Sequence, residues 1–192
     1  TGTDIEIRNC EIFNSSGFGL YITGDNTKIY NNYIHDIGYS GAFSEGMHIE
    51  GHNCHIAYNT ITRCGAAAIG GNKITASLIE NNVFSYCGMI SYDNGTMHWC
   101  NGDYQNTEIR NNIYHDGQDR AALIYLDASC SNLIIHNNTC YNQVGRVADI
   151  NHPANHILFY ENMIAGDLIS NFGWVHKGDT YQVKIFDNVI TG

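Results

Sequence analysis

Proline is almost absent: the 192 residues contain 1, Pro153. A chain so poor in proline keeps its backbone N–H groups for pairing, which suits a fold of paired strands. Basic residues are scarce. Lys and Arg number 9 against 19 Asp and Glu, a formal net charge of -10. That balance argues against nucleic acid as a partner. It also disfavours a polyanionic substrate unless a bound cation such as Ca²⁺ intervenes. No apolar run approaches membrane-spanning length, so no membrane partner is expected. No Cys-x-x-Cys pair exists, so neither a zinc ribbon nor a thioredoxin-type motif is supported. There is no linker, no low-complexity tract and no long helical period, so residues 1–192 read as one domain. No signal peptide is visible, though one preceding Thr1 would leave no trace once removed.

What the chain does have is a short phrase, repeated. It is best seen at Ile29-Tyr30-Asn31-Asn32-Tyr33-Ile34. Its fourth position reads Cys10, Asn32, Asn59, Asn82, Asn112, Asn138, Asn162 and Asn188, at steps of 22, 27, 23, 30, 26, 24 and 26 residues. Apolar residues stand three before and two after. A period of this size along a whole chain signals a solenoid. The asparagine belongs at a corner between strands, where broken ladder groups need another partner. Its amide both donates and accepts, so stacked copies can bond one another and the corner backbone. Asparagine also tolerates the left-handed conformation that corners use. His35-Asp36 and His115-Asp116 follow the phrase directly and read as turn chemistry, with Asp accepting from backbone N–H groups.

Each coil divides into three short strands: the phrase, a Gly-rich strand, and a strand leading into the next phrase. The turns at residues 35–45 and 85–95 are long, and such insertions often wall a solenoid's binding face. These features resemble the right-handed parallel β-helix superfamily, which includes pectate lyases, polygalacturonases, related glycoside hydrolases and phage tailspikes. The resemblance implies an all-β parallel β-helix of about eight coils with an asparagine ladder. It implies less about function, since one fold hosts many chemistries. The polygalacturonase motifs are missing; Gly51-His52-Asn53 lacks the closing glycine. Tyr125-Leu126-Asp127-Ala128-Ser129 followed by residues 133–138 looks closer to β-helix domains of bacterial polysaccharide-degrading proteins.

Laying the Gly-rich strands over one another by their inward apolar residues gives two outward columns, because strand side chains alternate. One reads Tyr21, His48, Ala68, His98, Tyr125, Asp149, Ile169. The other reads Thr23, Glu50, Gly70, Cys100, Asp127, Asn151, Asn171. Ala68 and Gly70 would leave a hollow flanked by imidazoles, carboxylates and tyrosines, which suits a polysaccharide. Asp127 and Asp149 fall on adjacent coils offset by two residues, roughly 8 Å apart along the backbone. That separation matches the acid and base of an inverting glycosidase. His48, Glu50, His98, Tyr125, Asn151 and His152 are the expected substrate contacts.

Three functions compete. The favoured one is a secreted, extracellular glycoside hydrolase using Asp127 and Asp149. The second is a polysaccharide lyase with His or Tyr as base and Ca²⁺ as charge neutraliser; no protein metal site is otherwise expected, although stacked aspartates are also donors for a structural Ca²⁺. The third is an extracellular filament or adhesin. The sequence shows no capping helix at either end, so chains stack end to end as a homo-oligomer or flanking domains continue the helix. Cys64 and Cys87 should lie on adjacent coils about 4.8 Å apart, within disulfide reach. A disulfide and two buried thiols are both open there.

Overall fold

The computed structural model describes residues 1–41, 44–91, 93–118, 122–142, 148–151, 153–165 and 181–191. They form a parallel β-helix. Two sheets of eight strands and one of seven run along its length, every pairing parallel. The first sheet runs from Glu6–Arg8 to Tyr181–Phe186, the second from Glu11–Ser15 to Val189–Thr191. The third holds the Gly-rich strands, from Leu20–Thr23 to Ala148–Ile150.

The phrase lies at the corner between the first two sheets. Its inward residues Ile29, Ile56, Ile79 and Ile109 stack in register and are fully buried. Beyond the corner Ile34, Ile61, Phe84 and Tyr114 do the same. Buried apolar area of this kind supplies the main stabilisation, about 25 cal/mol per Å².

The asparagines form a continuous ladder. Nδ2 of Asn32, Asn59, Asn82, Asn112, Asn138 and Asn162 donates to Oδ1 of the next asparagine at 2.9–3.1 Å. The same Oδ1 atoms accept the backbone N–H of the asparagine one coil before. Nδ2 also reaches carbonyl oxygens of its own corner and of the preceding coil, as Asn82 does to Glu80 and Ile56. Corner groups that no strand can satisfy are thus paired. The left-handed backbone belongs to the residue before the ladder asparagine, with φ 53° at Asn31, 60° at Tyr58, 54° at Asn81 and 53° at Asn111. The ladder residue itself is free of that strain.

One expectation about the turns needs correction. Asp36 and Asp116 do sit at left-handed turns, φ 56° and 54°. Their carboxylates, however, bond the preceding imidazoles at 2.7 and 2.8 Å, and Asp36 also pairs with Arg63. That arginine holds the Asp36 carboxyl far below the usual range, with His35 adding to the effect. Cys64 and Cys87 are in register on adjacent coils, yet both are free thiols. Both are fully buried, and the Cys87 sulfur beside Cys64, together with burial, pushes the Cys64 thiol well up.

The third sheet departs from the column expected above. Met47 pairs with Ile69, and Ile69 with Met97, so the third row sits two residues further along than an alignment on Ala67. Ile69 fills the core between the two methionines, while Ala66, Ala67 and Ala68 pass the corner, all buried. Gly71 then pairs with Trp99, at a point where a Cβ would run into the Ile49 carbonyl oxygen.

Candidate functional site

With that register, the outward column of the third sheet reads Tyr21, His48, Gly70, His98, Tyr125, Asp149. Gly70, not Ala68, is the small residue in the middle. Each histidine stacks on the tyrosine beyond it: Tyr21 on His48 with centroids 4.5 Å apart, and Tyr125 on His98 at 4.8 Å. Between the histidines nothing projects from the Gly70 backbone. The side chain of Glu45 lies over it instead, its Cγ and Oε1 3.1 Å from where a Cβ would sit.

A cavity of about 330 Å³ opens here, lined by Phe18, Glu45, His48, Asn72, Asp93, His98, Cys100 and Asp127. Three carboxylates and two imidazoles share it, and among the described residues no Lys or Arg lines it. His48 is gripped at both ring nitrogens, Nδ1 by Glu45 at 3.2 Å and Nε2 by Glu50 at 3.5 Å. Burial opposes its charge, but the two carboxylates together outweigh burial and raise its pKa. His98 goes the other way. Burial dominates and lowers its pKa, only partly offset by Asp127, Glu45 and Asp93. Their surroundings therefore push the two imidazoles in opposite directions, His48 toward its cationic form and His98 toward its neutral one.

Around them runs a chain of hydrogen bonds. Tyr125 donates its hydroxyl to Asp93 at 3.0 Å. Asn151 donates to the Tyr125 oxygen at 2.9 Å and to Asp127 at 2.8 Å. Burial and the Asp93 acceptor keep the Tyr125 phenol protonated far past neutrality. Cys100 gives its thiol proton to the Asn72 carbonyl oxygen, which leaves the Asn72 amide protons for a ligand. Burial first, then Asp127, raises the Cys100 pKa, so this thiol is no ready nucleophile.

Of the residues expected from sequence, His48, His98 and Asp127 line the cavity, and Glu50, Tyr125 and Asn151 support them. Asp149 follows Tyr125 in the column but is 2% exposed and does not line the cavity. His152 lies outside the described residues, as do Ile169 and Asn171. Sequence reasoning did not single out Glu45, Asn72, Asp93 or Phe18. Glu45 and Asp93 end or lie in the two long turns, which was the available signal. Asn72 was hidden by the two-residue shift of its row.

The chain matches the family model described as right handed beta helix region over residues 1–191, and it belongs to that family. No curated protein matches it in sequence. Among solved structures it is similar to an alginate lyase from Paenibacillus sp. str. FPU-7, at 14% identity and a TM-score of 0.41, over 93% of this chain and 77% of that one. The preference for a glycoside hydrolase is corrected at this point on the geometry of its catalytic pair: Asp127 lines the cavity, whereas Asp149 is buried outside it, so the expected acid and base do not meet there. Among the described residues no helix is long and apolar enough to cross a membrane.

Proposed function

We propose that the cleft binds a uronic-acid-containing polysaccharide and cuts it by β-elimination, outside the cell or at its surface, where such polymers are found. The observation that carries this reading is a pair of histidines on one cavity in opposite surroundings, His48 gripped by two carboxylates and His98 buried against Tyr125, which push their pKa values apart. Paired groups pushed apart in pKa mark acid–base assignments.

Neutral His98 is the base. Its neutral ring, on the wall of the cavity, takes the proton from C5 of the sugar. The electron pair left behind forms the C4–C5 double bond as the bond from C4 to the glycosidic oxygen breaks. The imidazolium then returns its proton to that oxygen, so protons and charge balance. The sugar carboxylate must be neutralised for C5 to become acidic. Cationic His48 supplies positive charge and Asn72 supplies amide protons. A proton shared between the incoming carboxyl and Asp127 or Asp93 removes the remaining repulsion. Among the described residues no group of three or more His, Cys, Asp or Glu could hold a metal; the acids do not converge as Ca²⁺ needs, and no step runs through one.

The test is digestion of a panel of uronate polysaccharides, followed by ultraviolet absorbance of the unsaturated sugar. Wild type should generate the signal, and His98→Ala should lose at least about 100-fold, the usual worth of a general base. An active His98→Ala variant removes the assignment. Binding without cleavage of any uronate reduces the cleft to a recognition site.

A further inference from the structure

A second hollow lies on a different face, in the first sheet. Its shape comes from stacked kinks. Asn132, His156 and Gln182 are all left-handed, with φ 56°, 54° and 57°. Their neighbours pair in register, Ser131 with Asn155 and Tyr181, and Leu133 with Ile157 and Val183. Three successive strands therefore bend at the same height and make a concave step. The coil before them closes one end. There three residues lie between Asp103 and Thr107, where one lies between their partners Ser131 and Leu133 in the next strand. The extra length bulges at Gln105 and Asn106, φ 48° and 61°. The result is a hollow of about 190 Å³ walled by Asn106, Asn132, His156 and Gln182.

The floor is Ile134 and Leu158, and the next residue in that column is Lys184. Arg8, Arg63 and Arg110 are each tied to carboxylates. Lys184 has no ion-pair partner among the described residues. Beside the floor, His136, Tyr160 and Phe186 stack at 4.8 and 5.0 Å with interplanar angles of 3° and 6°. An apolar floor, amides along one wall and one unpaired cation at the open end make a consistent set. The floor suits the C–H face of a sugar ring, the amides its hydroxyls, and the ammonium a carboxylate.

We propose that this hollow is a binding site for one carboxylate-bearing sugar unit, with the ring on Ile134 and Leu158 and the carboxylate at Lys184. It shares no residue with the cleft and does not depend on the cleft's chemistry. It would hold an acidic polysaccharide on the protein whether or not the cleft cuts it.

The experiment is a titration of the whole chain with a uronic-acid trisaccharide and with its neutral counterpart, followed by calorimetry and by amide chemical shifts. Three proteins are compared: wild type, Lys184→Ala and His98→Ala. Lys184 is exposed, so its replacement leaves the fold intact. The expected result is uronate binding weakened about tenfold by Lys184→Ala and by added salt, unchanged by His98→Ala, with shifts at Asn132 and Gln182. The neutral sugar should bind more weakly and equally well to wild type and Lys184→Ala. Equal uronate affinity in wild type and Lys184→Ala overturns the proposal. So does a signal that disappears with His98→Ala alone, which would place all binding in the cleft.

Discussion

His48 and His98 stand in one column with Gly70 between them, each pairing in register with that glycine. Each is backed on its far side by a tyrosine ring. The cleft exists because the residue between them has no side chain, and Glu45 occupies the space above it.

Gly70→Ala is the most economical way to close the cleft. A Cβ there would lie 2.9 Å from the His98 carbonyl oxygen and 3.1 Å from Glu45. Backbone at that distance must move, and the Glu45 side chain above must give way by a few tenths of an ångström. We expect cleavage to fall by at least about tenfold, with KM raised as well as kcat lowered, while the circular dichroism of the β-helix persists. Unchanged kinetics would show that the substrate does not pass over Gly70.

The opposite poise of the histidines predicts the pH profile. His98 must be neutral, and its lowered pKa lets it stay so below its ordinary value of about 6.5. His48 must be charged, and its raised pKa holds the proton above that value. The shared carboxyl proton favours mild acid. Activity should therefore follow a bell, its acid limb set by His98 and its alkaline limb by loss of the His48 and carboxyl protons. Stability carries the same signs. His48 stabilises the fold fully below about 6.5, and that contribution disappears as pH rises through its folded value. His98 does the reverse, and its buried neutral ring costs stability as pH falls below about 6.5. Denaturation midpoints of His48→Ala and wild type should accordingly converge at alkaline pH; a gap that widens there contradicts the assignment.

Removing one rung from the ladder should cost more in the middle than at the end. Asn82 donates to Ile56, Glu80 and Asn112, and accepts from the Asn59 amide and side chain. All of these are inside the corner. Asn82→Ala strands them, for a loss on the order of 3 kcal/mol at the unsatisfied-group scale. Asn188 is less buried, and water can replace its partners. Urea denaturation of Asn82→Ala and Asn188→Ala measures the difference, and equal losses would mean that the ladder is not a buried network.

The repeat made the fold legible. An asparagine flanked by Ile at fixed offsets has one physical use in a coil, and the corner geometry followed from it. Registration of the Gly-rich strands was less legible. In Gly65-Ala66-Ala67-Ala68-Ile69-Gly70-Gly71, several small residues fit the inward position. Only the volume between Met47 and Met97, and the close approach of the Ile49 carbonyl at Gly71, selects Ile69. The missed site residues follow from that. His48, His98 and Asp127 were found because their strands carry one clear apolar pattern. Asn72 was lost with the shifted row, and Glu45 and Asp93 come from turns, where no periodicity points a side chain.

Cysteine labelling tests the core directly. Cys54, Cys64, Cys87, Cys130 and Cys140 are buried, and burial pushes Cys130 and Cys140 up to about 12. In the native protein an alkylating reagent should modify exposed Cys10 first and Cys100 slowly. After denaturation without reductant all 7 should react. A count of five would show Cys64 and Cys87 bonded to each other.

The most direct measurement of the elimination chemistry is cleavage of a uronate polymer in heavy-oxygen water, with mass spectrometry of the fragments. Elimination breaks the chain without adding water. The expected products carry an unsaturated end and no heavy oxygen, and His98→Ala yields none. Heavy oxygen at the new reducing ends, or fragments with no double bond, would contradict the assignment of His98 and the reading of the cleft.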